Sequence, residues 1–193
     1  MKKIVVIYPN TIESKKKRFI KQFLVAVFIL SFAFSINGCD DGSSTSVSKE
    51  TKRADQYFTI NLDSKIVEVQ VAISRLEIER GLMFRQSLAE MQGMLFIHKQ
   101  PGQMRYWMCN VSIPLSIGFF DSNGILKETY PMYPYEESPV ISANTSIQFV
   151  LEVNQGWFTR NSVKPGARIS LDEIKYLLEK RGFSPETFLH HNE

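Results

Sequence analysis

The segment that decides the fold is YWMCNVSIPLSIGFFDSNG, residues 106–124. Its second part, IPLSIGFF at 113–120, is an apolar run of the length expected for a buried strand. The four residues that follow, DSNG at 121–124, form a strong hairpin-turn signal, because Asn and Gly tolerate positive backbone φ angles. The segment therefore predicts a strand, a tight turn and a returning strand.

The sequence on both sides extends this β pattern. KIVEVQVAI at 65–73 alternates apolar and polar residues, as a half-buried strand does. Further strands are predicted at 94–98, 104–109 and 146–153. Two short helices interrupt them, one opened by the capping box of Ser74 and Glu77 and one within 154–162. Many short strands with two brief helices predict a mainly all-β fold, a sandwich or a barrel.

The end of the chain is helical. Ser170 and Glu173 form a second capping-box pattern, Gly182 can end the helix, and Ser184-Pro185 can open another short helical turn. One helical face carries Leu171, Ile174, Leu177 and Leu178. A helix that docks on the β domain is predicted, with holding a partner as the alternative role. The Tyr- and Pro-rich stretch at 130–139 is predicted to be a surface loop.

The beginning of the chain predicts export. A basic stretch precedes a mostly apolar run at 23–36, which is shorter than the roughly 20 residues that span a bilayer. INGC then ends at Cys39 and resembles a bacterial lipobox, in which the Cys carries the lipid. The alternatives are an uncleaved anchor and an ordinary secretory signal. Asp40 after the lipidated Cys would act as an inner-membrane retention signal under lipoprotein sorting rules.

These patterns predict four parts. Residues 1–38 are a lipoprotein signal peptide, 39–56 a flexible tether, 57–170 the β domain and 171–193 a helical C-terminal extension. The expected location is the bacterial cell envelope, lipid-anchored, on the periplasmic face of the inner membrane if Asp40 acts as the retention signal. The expected partner is therefore the membrane, through the anchor at Cys39.

The charge distribution argues against nucleic acid as a partner. Residues 1–38 hold seven Lys or Arg and one acid, which leaves 16 basic and 19 acidic residues, a net charge of −3, in 39–193. A mildly acidic domain has no electrostatic footprint for nucleic acid.

Motifs for common chemistries are missing from the sequence. It contains no HExxH, CxxC, GxGxxG, P-loop or GxSxG pattern, so no metal site, cofactor or catalytic residue is predicted. Cys109 and His98 are the one nucleophile–base pair to consider. A hairpin across 99–103 would place residue 98 opposite about 104 and separate His98 from Cys109. Cys109 is therefore interpreted as a small core hydrophobe within a strand, with a reactive thiol as the alternative.

Three residues are predicted to bind a ligand. Arg85 follows an apolar cluster and is either a structural ion pair, with Glu152 as a possible partner, or a site for an anionic group. Trp107 is either a core residue or a stacking platform. Asn110 either binds a ligand amide or carbonyl or holds a turn.

The runs VEVQVAISRLEIERGLMFRQSL, GMLFIH, YWMCNVSIPLSIGFFDSNG and FVLEVNQGW, in this order, resemble domain of unknown function 192, an uncharacterised prokaryotic family. The resemblance covers roughly 60–170. It implies a compact β-sandwich or barrel of jelly-roll type in proteins that are often exported or lipid-anchored, and it implies no established reaction.

This chain departs from the family pattern at three positions. Cys109 stands where the family usually has Lys, Val111 where it has Thr, and Ser116 where it has Asp. Arg85, Trp107 and Asn110 match. If the Lys and Asp form a structural ion pair, the neutral pair in this chain is a joint replacement that leaves no buried charge unpaired. If the Lys and Asp are reactive groups instead, this chain has lost both. Each of these two accounts argues against an enzymatic function.

The leading hypothesis is a non-catalytic, lipid-anchored envelope domain that binds a small molecule, a glycan or an envelope protein. The alternatives are a cell-envelope hydrolase that uses Cys109 or a carboxylate, and an assembly or quality-control partner at the membrane.

Overall fold

The computed structural model describes residues 54–189. The strands in chain order are β1 (Phe58–Leu62), β2 (Lys65–Ala72), β3 (Gln92–Gly102), β4 (Arg105–Tyr106), β5 (Leu115–Asp121), β6 (Leu126–Met132), β7 (Val140–Ile141) and β8 (Ile147–Asn154). The helices are α1 (Arg75–Arg80), α2 (Trp157–Arg160) and α3 (Leu171–Arg181), followed by a 3-10 turn at Pro185–Thr187. A mainly β fold with two short helices and a C-terminal helix is confirmed.

Six strands form one sheet in the order β1-β2-β3-β8-β5-β6. The β2–β3 pair, which is connected through α1, is parallel, and the other pairs are antiparallel. β4 and β7 form a separate two-stranded sheet. The strands of residues 54–189 do not close into a barrel, so the sequence-based description as a sandwich or barrel holds only loosely.

Local sequence signals explain several elements. The side chain of Glu77 accepts a hydrogen bond from the backbone N–H of Ser74 at 3.0 Å, which confirms the capping box that opens α1. In the β5–β6 turn, the carboxylate of Asp121 accepts hydrogen bonds from the N–H groups of Asn123 and Ile125, at 2.9 and 3.0 Å. Gly124 has a φ of 73° there, so the predicted turn is confirmed.

Each face of the six-stranded sheet is buried against a different layer. We call one the helix face, because α3 and Trp157 pack on it. Its core includes Leu62, Val69, Leu95, Phe149, Leu151, Leu177 and Leu178. We call the other the loop face, because the segment 104–113 covers it. Its core includes Phe96, Met104, Tyr106, Met108, Val111, Ile117, Phe119 and Val150.

Two predictions about the loop face were wrong. The predicted strand 104–109 is reduced to the two residues of β4. β4 pairs with β7, and β3 pairs with β2 and β8, so the predicted hairpin across 99–103 does not exist. An alternating or apolar pattern indicates burial, but it does not select the strand with which a segment pairs.

Two other predictions were partly right. Residues 130–132 of the stretch 130–139 belong to β6, and residues 133–139 form the loop. β6 is an edge strand, where Pro131 is tolerated. Ser170 does cap α3 by accepting from the N–H of Asp172, but Glu173 binds the backbone and side chain of Asn61 in β1 instead of completing a capping box. α3 nevertheless contributes its buried residues to the helix face.

The predicted lipobox, signal peptide and most of the tether lie outside the described residues. Among residues 54–189, no helix has the length and apolar character needed to cross a bilayer.

Candidate functional site

A cavity of about 220 Å³ lies on the loop face, between the sheet, α1 and the segment that carries Trp107. Its ionisable and polar lining includes Arg80, His98, Arg105, Tyr106 and Glu152. The remaining walls are mostly apolar side chains, among them Phe96 and Met104. A concave, largely apolar space with a few polar groups is the usual form of a small-molecule site.

Glu152 is the most unusual residue of this cavity. It stands in the central strand β8, between Met94 of β3 and Ile117 of β5, and it is only 5% exposed. None of the hydrogen bonds or ion pairs described for residues 54–189 satisfies its side chain. Burial raises the pKa of its carboxyl group to about 8, because a charged carboxylate is poorly solvated there. Glu152 is therefore mostly protonated at neutral pH.

His98 and Tyr106 form a hydrogen-bonded pair in the same cavity. The Nε2 atom of His98 lies 2.8 Å from the hydroxyl oxygen of Tyr106. Burial lowers the pKa of His98 to about 4, so its ring is neutral at pH 7. Burial, and then the charge of Glu152, raise the pKa of Tyr106 well above its ordinary value. The two side chains satisfy each other and leave Glu152 without a partner.

Trp107 stands at the rim of the cavity and remains 53% exposed. The core interpretation of Trp107 is therefore wrong, and its role as a stacking platform stays a prediction. Beneath it, the rings of Phe96 and Tyr106 meet edge to face, with centroids 5.0 Å apart. The cavity thus offers aromatic surfaces on its walls and a single unpaired carboxyl group.

The glycine of the GMLF run has a structural reason next to this site. A Cβ atom on Gly93 would lie 2.6 Å from the carbonyl oxygen of Glu152. Only a glycine permits β3 and β8 to approach this closely at the position of Glu152.

Arg85 lies in a neighbouring cavity of about 480 Å³. Its guanidinium donates to the hydroxyl of Tyr57 at 3.0 Å and to the side-chain oxygen of Gln70. The predicted pairing with Glu152 was wrong, since Gln70 and Tyr57 take that place. Arg85 is bonded here to neutral groups, so its charge stays available to an anionic ligand; that role stays a prediction.

Asn110 shapes a turn. Its φ is 57°, and its carbonyl accepts the N–H of Phe84 at 2.8 Å. Phe84 also has a positive φ, 64°, which is unusual for an aromatic residue. The hydroxyl of Ser112 donates to the carbonyl of Arg85 at 2.9 Å and adds a second link between the same two segments. These contacts account for Asn110 as a turn residue, and its role as a ligand residue stays a prediction.

The three predicted ligand residues do not meet in one cavity. Trp107 and Arg85 line two different cavities that share a wall of Arg80, Gly81 and Met83. Asn110 lines neither of these two cavities.

Cys109 was placed wrongly by the sequence analysis. It lies in a turn and is half-buried, not inside an apolar strand. Its described contact is with the side-chain amide of its neighbour Asn110, at 3.5 Å. Ser116, the other departure from the family pattern, accepts the N–H of Gly156 at 2.9 Å. Cys109 and Ser116 therefore have different partners, and this gives no support to a joint replacement of an ion pair.

Sequence reasoning missed the grouping of Glu152, His98 and Tyr106. The available signal was a single acid inside the apolar run FVLEV at 149–153, where a charged group needs a partner or a raised pKa. Within residues 54–189, no group of three or more His, Cys, Asp or Glu could hold a metal ion.

Comparisons with known proteins agree with this architecture. A crystal structure of a protein of unknown function from Novosphingobium aromaticivorans DSM 12444 is 31% identical, with a TM-score of 0.55, and the match covers 59% of this chain and 83% of that one. A candidate transcription regulator from Sinorhizobium meliloti 1021 is 29% identical, with a TM-score of 0.54, over 58% of this chain and 89% of that one. No curated protein matches.

The model of the family DUF192, described as "Uncharacterized ACR", matches residues 58–171, which is more than half of the chain. The matched region includes the whole six-stranded sheet and the cavity beneath Trp107. The chain therefore belongs to the DUF192 family of domains of unknown function.

Proposed function

We propose that this protein is a lipid-anchored envelope protein whose β domain binds a small ligand, without catalysis, in the cavity beneath Trp107. The observation that carries the binding role is the combination of an exposed Trp107 at the rim with the unpartnered, buried Glu152 inside. A perturbed ionisable group in a cavity is a general mark of a functional site.

The size of the cavity limits the ligand. A volume of about 220 Å³ corresponds to roughly seven water molecules at about 30 Å³ each. A compound of amino-acid size fits, whereas a folded protein partner could insert no more than one side chain. A glycan could enter with one sugar unit at most, stacked on Trp107.

Thermal shift with a library of small polar and charged fragments tests the binding role. Matched variants are Trp107→Ala and Tyr176→Ala, since Tyr176 is also about half exposed but lies on α3. We expect some fragments to raise the melting temperature of the parent and of Tyr176→Ala, and to lose that effect in Trp107→Ala. Stabilisation that persists in Trp107→Ala would exclude this cavity.

The lipid anchor is tested separately at Cys39. Metabolic labelling with a radioactive fatty acid should mark the parent protein and not Cys39→Ser. A membrane fraction that retains Cys39→Ser as firmly as the parent would favour an uncleaved anchor instead.

A hydrolase-type enzyme is the second candidate, and one observation favours it. A carboxyl group with a pKa of about 8 can donate or accept a proton near neutral pH. Glu152 would be the acid–base group in this case, because Cys109 does not line the cavity. Turnover of any envelope-derived ester or amide that is abolished in Glu152→Gln would replace the binding function by this one.

A further inference from the structure

We propose that the cavity beneath Trp107 recognises a small zwitterion, whose ammonium group binds Glu152 and whose anionic group points to Arg80 and Arg105. This inference rests on the proposed binding function and names its ligand class.

The carboxyl group of Glu152 has no hydrogen-bond or ion-pair partner among residues 54–189. Glu152 is 5% exposed and lines the cavity, while the neighbouring His98 and Tyr106 bind each other. A ligand is therefore the natural source of hydrogen-bond donors. An ammonium group supplies three donors and a positive charge, which together compensate for a buried carboxylate.

The walls of the cavity carry aromatic side chains. Trp107, Tyr106 and Phe96 all line the same cavity as Glu152. Aromatic faces attract cations through their ring quadrupole, and this attraction increases where water is excluded. A carboxyl group in a cavity lined by aromatic residues is thus suited to an ammonium group.

Positively charged side chains lie at the mouth of the cavity. Arg80 and Arg105 are exposed residues that line the cavity, and neither forms an ion pair within residues 54–189. Glu79 also lines the cavity, but it is paired with Arg75 at 2.7 Å. The unpaired charges of the mouth are therefore positive. A simple amine would be repelled there, and a ligand that also carries an anionic group would be held at both ends.

Binding should depend on pH in a defined way. The groups that face Glu152 are His98 of β3, Tyr106 and Arg105 of β4, and Glu79 and Arg80 of α1. His98 has a pKa of about 4 and Tyr106 one well above 10, so neither titrates between pH 6 and 8. Over that range Glu152 changes from almost fully protonated to about half ionised. Because only the ionised form pairs with an ammonium group, the apparent affinity should rise about 50-fold.

Isothermal titration of the full chain in detergent with four matched probes tests the proposal. The probes are 4-aminobutyrate, n-butylamine, butyrate and n-butanol, which share a four-carbon chain and differ in charge. We expect 4-aminobutyrate to bind tightest, butylamine more weakly, and butyrate and butanol at least about tenfold more weakly than 4-aminobutyrate. Phosphoethanolamine and glycerophosphoethanolamine are titrated in parallel to distinguish two sources of the ligand. Tighter binding of phosphoethanolamine would indicate a free zwitterion, and tighter binding of glycerophosphoethanolamine would indicate a lipid head group.

The variant Glu152→Gln keeps the shape of the side chain and removes the charge. It should abolish the preference for amines and the pH dependence, while Glu137→Gln, an exposed change in the 130–139 loop, should leave both unchanged. Equal affinity for butanol and 4-aminobutyrate, with both lost in Trp107→Ala, would overturn the ammonium inference but support the cavity as a binding site. Failure of all four probes to bind would also overturn it, and the fragment screen would then decide the proposed function alone.

Discussion

Both faces of the six-stranded sheet are packed with apolar side chains, but they treat their ionisable groups differently. On the helix-face side, the buried Arg181 is paired with Glu77 and also donates to the carbonyl of Val71. On the loop face, Glu152 is also buried, at 5% exposure, and has no such partner among residues 54–189. A paired buried charge is accounted for by stability, whereas a buried ionisable group without a partner, next to a cavity, points to a ligand.

Helix α1 joins the two regions. Its residue Glu77 faces α3, while Ile78, Glu79 and Arg80 line the cavity beneath Trp107. Because α1 contributes to both regions, the two faces differ in individual side chains and not in whole elements. Changes on the helix side should affect the free energy of unfolding, and changes around the cavity should affect binding.

The largest effect is expected for Glu77→Ala. The substitution leaves the buried Arg181 unpaired, at a cost of about 3–5 kcal/mol in the free energy of unfolding, and it removes a cap worth about 1 kcal/mol. Urea unfolding measures the loss. Glu79→Ala is the control, because its pair with Arg75 is exposed and should contribute less than about 1 kcal/mol. Similar losses in the two variants would show that Glu77 and Arg181 are not a buried structural pair.

The two tryptophans give the next contrast. Trp157 is fully buried on the helix face, so Trp157→Ala should cost about 3–4 kcal/mol. Trp107 is half exposed, and Trp107→Ala should cost less than about 1 kcal/mol. Calorimetric melting of both variants checks the difference. Equal destabilisation would place Trp107 among the core residues after all.

A pH effect isolates Glu152. Its pKa is about 8 in the folded protein and 4.5 ordinarily, so the folded state binds more protons and stability falls as pH rises between these values. The lowered pKa of His98 makes stability rise with pH, but only below about pH 6.5. From pH 6.5 to 8 the parent should lose about 1.5 kcal/mol relative to Glu152→Gln. Urea unfolding at several pH values measures this, and parallel curves for the two proteins would contradict a buried, unpaired Glu152.

The smallest effect is expected at Cys109. It is half-buried in a turn and makes one weak side-chain contact, so Cys109→Ser should change the free energy of unfolding by no more than about 0.5 kcal/mol. Ligand binding should also be unchanged, because Cys109 does not line the cavity. Loss of any detected activity or binding in this variant would revive the reactive-thiol interpretation.

The sequence predicted those parts of the molecule whose signals are local. The capping box at Ser74, the turn at 121–124 and the alternating strand β2 are each encoded within a few residues. The parallel β2–β3 pair and the β4–β7 pair depend on tertiary packing between distant segments, and no local pattern specifies them.

The candidate site was predictable only in part for the same reason. Trp107 could be singled out by its residue type, but its place above Glu152 requires knowing that β8 lies at the centre of the sheet. Arg85 was assigned the wrong partner because Gln70 and Tyr57 carry no charge and gave no signal in the sequence.

The most direct test of the difference between the two faces follows both tryptophans at once. The chain contains two Trp residues, one beside the cavity and one in the helix-face core, so a nitrogen-15 spectrum of the full chain reports each through its indole N–H signal. On titration with 4-aminobutyrate at pH 8, we predict that the Trp107 signal moves in a saturable way and the Trp157 signal stays in place. A Trp157 signal that moves while Trp107 does not would contradict the assignment of the loop face as the binding side.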